Sequence, residues 1–216
     1  IVIPDSVIEI SESAFAYNEC CLTAVKIGSG VTSIGSRSFE RSKITKIDIP
    51  SNVLSVGSFA FYVNEISDLS LGSSLVSIGE HAFQHNQLTE VTIPASVASI
   101  DAYAFGTGLL SRIRFLGDRP SVDDLSFDSN GQLVSVTYCN GQAGWPGESI
   151  NNISPIADCD GDGVGDLSDS DDDGDGVLDA SDAFPLDATE TIDTDNDGTG
   201  NNADTDDDGD GVADGS

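Results

Sequence analysis

Residues 88–105 read LTEVTIPASVASIDAYAF, and the spacing of the apolar residues in this stretch decides the fold. Leu88, Val91 and Ile93 come first, Val97 and Ile100 follow, and Phe105 closes the unit. The same six positions recur 22 residues earlier as Ile66, Leu69, Leu71, Leu75, Ile78 and Phe83, and again as Ile44, Ile47, Ile49, Val53, Val56 and Phe61. Leu22–Lys43 is another copy, Leu110, Ile113, Phe115, Val122 and Phe127 form a degraded one, and residues 1–21 belong to an earlier copy. A period this short marks a stacked repeat architecture.

Each unit opens with a β-rich stretch whose alternate residues point to one side. One unit cannot bury its own apolar face, whereas stacked units share a continuous core. The expected fold is therefore mainly β, a solenoid with parallel strands. Pro4, Pro50 and Pro94 follow the strand, where a fixed φ turns the chain off the sheet. Asn18, Asn64 and Asn86 lie three residues after a Phe and are expected to bond turn backbone. Small residues precede each Phe (Ala14, Ser38, Ala60, Ala82, Ala104, Ser126), as close approach of neighbouring turns requires. The outward columns of the strands are expected to be Ala24, Lys46, Asp68, Glu90, Arg112 and Ser135, beside Lys26, Asp48, Ser70, Thr92, Arg114 and Thr137. This face is polar and mixed in sign. Lys46, Asp68, Glu90, Arg112 and Arg114 are its candidate ligand contacts, weighed against a plain solvated surface.

Phrases such as LTEVTIPASVASIDAYAF make residues 1–138 resemble the BspA-like leucine-rich repeats of bacterial surface proteins. The resemblance implies a curved leucine-rich-repeat solenoid, and a loose association with adhesion or with binding to proteins and glycans.

The last strand is expected at Leu133–Tyr138, and residues 139–157 form a cap and junction in which Trp145 covers the open end of the core. Cys139 and Cys159 bracket this junction. A bond between them closes a loop of about 20 residues, adding on the order of 3 kcal/mol in an oxidising compartment. Four Cys allow three connectivities; Cys20 and Cys21 remain open as a vicinal pair, free thiols or links to another chain.

Charge divides the chain. All 8 basic residues lie at or before Arg119, while residues 158–216 hold 21 Asp and one Glu with no Lys or Arg. A net charge of −30 argues against nucleic acid and anionic membrane surfaces as partners. Carboxylates at about 4 Å repel by roughly 1 kcal/mol per pair even in bulk water, so a compact acidic segment calls for divalent cations.

The acidic segment repeats at 35 residues, and within each copy the template Asp-x-Asp-x-Asp-Gly-x-x-Asp-x-x-Asp fits twice. The first loop uses Asp158, Asp160, Asp162, Asp166 and Asp169. Asp171, Asp173, Asp175, Asp179 and Asp182 make the second. The third has Asp193, Asp195, Asp197 and Asp204 with Asn201 in ninth place; the fourth has Asp206, Asp208, Asp210 and Asp214, with its twelfth place beyond Ser216. Calcium takes six to eight oxygens, and a 12-residue loop supplies them from positions 1, 3, 5, 7, 9 and 12 with Gly at 6. Position 7 lends a backbone carbonyl, here from Val164, Val177, Thr199 and Val212. About four Ca2+ sites are expected, the last truncated. The alternative, a disordered acidic linker, needs no Gly at the sixth place. No amphipathic helix fits between the second and third loops, so these are not helix-flanked EF-hands. Residues 158–216 instead resemble thrombospondin type 3 repeats, which implies an irregular chain wrapped on calcium and folding that depends on it.

A nucleophile with base and orienting group is not found, and His81 and His85 lack the Glu-bearing motif of a zinc helix, so no enzyme is expected. No apolar run reaches the length of a membrane-spanning helix. The chain opens without Met and in mid-repeat, and is expected to be a piece of a longer extracellular or bacterial cell-surface protein. Two functions follow from the residues. One is a surface module binding protein or glycan through the solenoid on a calcium-stiffened stalk; the other is a purely structural spacer.

Overall fold

The computed structural model describes residues 1–18, 22–131, 133, 135–139, 142–145 and 149–214. Cys20 and Cys21 lie outside the described residues. The strands are short: β1 (Glu9–Ile10), β2 (Ser33–Ile34), β3 (Lys46–Asp48), β4 (Ser55–Val56), β5 (Asp68–Ser70), β6 (Ser77–Ile78), β7 (Glu90–Ile93), β8 (Ser99–Ile100), β9 (Arg112–Phe115), β10 (Ser121–Val122), β11 (Ser135–Tyr138) and β12 (Ile156–Ala157). A single 3-10 turn, Asp179–Ser181, is the only helical element among the described residues. Two compact units result, Ile1–Thr137 with Gln142–Pro155, and Tyr138–Gly141 with Ile156–Ser216.

The first unit is a parallel β-solenoid. Its back sheet runs β1-β2-β4-β6-β8-β10, so the second apolar pair of each repeat builds a sheet of its own. The register holds Ser33, Ser55, Ser77, Ser99 and Ser121 in one row and the apolar residue after each in the next. The front sheet comes in two pieces. β3 pairs with β5, and β7 starts a separate run through β9 and β11.

Between the sheets the Phe residues form one column. Phe15, Phe39, Phe61, Phe83, Phe105 and Phe127 stack nearly parallel at centroid separations of 5.1–5.4 Å. Ala60, Ala82 and Ala104, with Ser38 and Ser126, are fully buried beside them, where a larger side chain would push the coils apart. Each Phe is aimed inward by flanking residues in the left-handed region, among them Phe59 (φ 59), Val63 (φ 53), His81 (φ 57) and His85 (φ 58). Such a conformation costs roughly 1–2 kcal/mol per non-Gly residue. Bonds to the next coil hold it: Phe59 N–H donates to Glu80 O at 2.9 Å, and Val63 N–H to Gln84 O at 3.0 Å.

The Asn residues form a second ladder. Asn86 donates to the carbonyls of Phe61 and Phe83, both at 2.9 Å, and its Oδ1 accepts Ile66 N–H at 2.9 Å. Asn64 does the same between Phe39 and Ile44. Asn130, in the degraded copy, bridges Phe105, Phe127, Gly108 and Leu110. At the far end Trp145 is buried, donates to Gly117 O at 3.2 Å and lies 4.7 Å from the Phe115 ring.

The outward columns hold for Ala24, Lys46, Asp68, Glu90 and Arg112, all exposed, while Arg114 is half-buried. Thr137 departs from its expected place. It is buried, because Ser135–Tyr138 buries two consecutive residues, Val136 and Thr137, instead of alternating.

Candidate metal centres

The acidic unit has almost no regular structure, and its side chains make the turns that secondary structure makes elsewhere. In all four loops the third Asp accepts the amide of the fifth residue: Asp160 from Asp162, Asp173 from Asp175, Asp195 from Asp197, Asp208 from Asp210, at 2.9–3.2 Å. The fifth Asp in turn accepts the seventh amide, that of Val164, Val177, Thr199 or Val212, at 2.7–2.8 Å. These are Asx turns, which Asp forms readily because its short side chain reaches its own backbone two residues on.

The sixth residue must be glycine. Gly163, Gly176, Gly198 and Gly211 have φ of 98°, 96°, 93° and 88°, a conformation that a Cβ would strain. In three loops this turn brings the glycine amide to the first Asp: Gly176 to Asp171 at 3.1 Å, Gly198 to Asp193 at 3.0 Å, Gly211 to Asp206 at 2.9 Å.

The ninth residue closes the loop. Its amide donates to the carbonyl just before the loop: Asp166 to Ala157, Asp179 to Ser170, Asn201 to Ile192 and Asp214 to Thr205. Its side-chain oxygen accepts the second residue's amide, from Cys159, Asp172, Thr194 and Asp207 respectively. Asn201 makes this bond as well as an Asp does, since an amide oxygen accepts a hydrogen bond without needing charge.

The result is four carboxylate triplets: Asp158, Asp160 and Asp162; Asp171, Asp173 and Asp175; Asp193, Asp195 and Asp197; Asp206, Asp208 and Asp210. In each, one oxygen per residue lies within 4.8 Å of the others. The ninth residues, and Asp169, Asp182 and Asp204 in twelfth place, stand outside these triplets. Asp169 and Asp204 instead each accept two amides that start the next loop.

Backbone bonds do not satisfy every oxygen that the fold buries. Asp173 Oδ2, Asp182 Oδ2, Asp193 Oδ1 and Asp206 Oδ1 are buried without a hydrogen-bond partner. A buried carboxylate oxygen left so is costly. The strain is electrostatic too. Burial first, then the carboxylates of Asp179, Asp166, Asp169 and Asp173, push the Asp172 carboxyl up to about 6. Burial is also the largest cause raising Asp173. The donor set is all hard oxygen with no thiolate or imidazole, so it fits a hard divalent cation rather than zinc or copper.

Two further features brace the unit. Cys139 and Cys159 are joined in a disulfide, and Asp158 N–H donates to Tyr138 O at 2.8 Å beside it. Glu190 was not singled out from the sequence, although it is the one Glu in an Asp-only stretch. It is buried, accepts Asn202 N–H at 2.9 Å and lies against Gly200, where a Cβ would meet its carboxylate at 2.1 Å. His81 and His85 do not form a helical pair. His81 stacks between Phe59 and Tyr103, at 4.5 and 5.0 Å, and His85 bonds Thr107.

The BspA type leucine-rich repeat region matches residues 1–108 in six copies. The chain belongs to this family. As a BspA-type repeat protein it shares its fold with a leucine-rich repeat protein from Bacteroides ovatus, whose crystal structure it matches at 27% identity and a TM-score of 0.51. The match covers 63% of this chain and 39% of that one. No curated protein matches. BspA-type repeats are scaffolds whose function depends on the surface built upon them. No described helix is long and apolar enough to cross a membrane.

Proposed function

We propose that the chain is part of a calcium-binding protein of the bacterial surface or extracellular space, in which a BspA-type solenoid binds protein or glycan and the acidic unit is a calcium-stiffened stalk of thrombospondin type 3 kind. One observation carries the calcium reading. Four loops of different sequence present the same Asp triplet through the same turns, and three of them leave buried carboxylate oxygens without a protein partner. The first, third and fifth Asp would hold the ion, with the seventh carbonyl and the ninth and twelfth side chains supplying oxygens directly or through water.

Bound calcium offsets the mutual repulsion of the carboxylates and satisfies the orphaned oxygens. Extracellular modules of this chemistry typically bind with Kd of about 10⁻⁴ to 10⁻³ M. The disulfide fits an oxidising compartment. Calorimetric titration of the chelated chain tests this reading, with saturable heat from calcium expected and none after chelator is added back. A flat titration to 10 mM calcium would remove it. An array of extracellular proteins and glycans tests the solenoid's binding role, since a purely structural spacer retains nothing on it.

A further inference from the structure

The front sheet of the solenoid opens between β5 and β7. On one side of the opening Lys46, Ile47 and Asp48 pair with Asp68, Leu69 and Ser70; on the other Glu90, Val91, Thr92 and Ile93 pair with Arg112, Ile113, Arg114 and Phe115. Among the described residues no backbone hydrogen bond joins residues 68–72 to residues 89–94. β5 and β7 are neighbours in no sheet, although their places in the repeat correspond. The back of the same coils is intact, with Ser77 and Ile78 paired to Ser99 and Ile100 and the Phe83 and Phe105 rings stacked at 5.4 Å. The opening is therefore local to the front.

The charge column disfavours closing it. Lys46 faces Asp68 at 2.8 Å, and Glu90 faces Arg112 at 3.7 Å, but the 22-residue register would set Asp68 directly against Glu90. Like charges directly opposite each other destabilise a strand pair. The separation uncovers apolar surface. Leu69 and Leu71 are half-exposed, whereas their counterparts Ile47, Ile49, Val91, Ile93, Ile113 and Phe115 are buried. A cavity of about 390 Å³ results, lined by Leu69, Ser70, Leu71, Glu90, Val91 and Leu116 among others.

We propose that this opening is a strand-receiving groove whose occupant is an extended polypeptide bearing a lysine or arginine. Two facing strand edges each present alternating N–H and C=O groups, and another peptide backbone is the ligand that satisfies both. The apolar walls accept its inward side chains. A basic outward residue between Asp68 and Glu90 would turn the column into one of alternating sign. The proposal gives the solenoid's binding role a partner class and rests on that role.

The test uses the full chain in calcium and a blocked seven-residue peptide of alternating valine and threonine around one central lysine. Saturable binding is expected, together with slowed amide exchange at Leu71 and Thr92, whose N–H groups face the opening. Replacing the peptide's lysine by glutamate, or the exposed Glu90 by lysine (Glu90→Lys), should each weaken binding at least tenfold. No binding at millimolar peptide, equal binding of the two peptides, or indifference to Glu90→Lys would overturn the proposal. So would protection of the same amides by dimer formation at high protein concentration, which would make a second copy the occupant. If the chain retains partners on the array while the peptide fails, the groove alone is wrong; loss of both removes the solenoid's binding role as well.

Discussion

The solenoid and the acidic unit solve the same problem, holding a repeated chain in one shape, with opposite materials. In the solenoid each coil of about 22 residues buries Ile, Val, Leu and Phe against its neighbours, and the Asn ladder satisfies the backbone that the Phe column covers. Among its described residues the acidic unit has no comparable core; Leu167, Leu178 and Ile192 are exposed, and its turns are made by Asp side chains that bond amides two to five residues on. One region is held by the exclusion of water, the other by hydrogen bonds to carboxylates that also repel each other. The first needs only its own sequence, and the second calls for a counter-charge from solution.

The widest separation of the two should come from chelation. Each site occupied at 100 times its Kd adds about 2.7 kcal/mol to the folded form, so losing several ions unfolds the acidic unit while the solenoid keeps its transition. Two melting events, of which chelator moves only one, would sharpen the contrast; a common shift would break it. The converse change is Phe61→Ala, which removes a fully buried ring from the column. It should lower solenoid stability by about 3–5 kcal/mol and leave the calcium isotherm unaltered. Asn86→Ala strands two carbonyls and an amide, at about 1–3 kcal/mol by denaturant unfolding. Gly176→Ala sets a Cβ on a φ of 96° and should cost on the order of 1 kcal/mol while weakening one calcium site and sparing the rest. Smallest is Glu65→Gln, which breaks the exposed Lys43 pair and should change stability by less than about 1 kcal/mol.

Much of this was legible in the residues. A repeated spacing of Ile, Val, Leu and Phe can be satisfied in few ways, so the coil and its core positions followed from Leu88–Phe105 and its copies. The repeated Asp template marked the residues of the four triplets because its spacing and residue type recur in every loop. Asn130 lies three residues after Phe127 and in the same 22-residue register as Asn64 and Asn86, so the signal was there, set in a copy whose other apolar positions are degraded. Other features needed coordinates. The left-handed pairs such as Phe59 and Val63 were invisible, since bulky residues are poor predictors of positive φ. The ninth place was expected as a metal ligand; the fold uses one of its oxygens to close each loop, which explains why Asn201 is accepted there. Asp68 and Glu90 were each visible as charges on one column, but their opposition matters only once strands are set side by side.

Residue-resolved hydrogen exchange of the full chain, with calcium and with chelator, tests the central claim most directly. The account predicts that the amides of Asp166, Gly176, Asp179, Gly198, Asn201 and Gly211 are protected in calcium and exchange freely without it, while those of Phe61, Phe83 and Phe105 do not change. Protection of the loop amides that persists in chelator would contradict it.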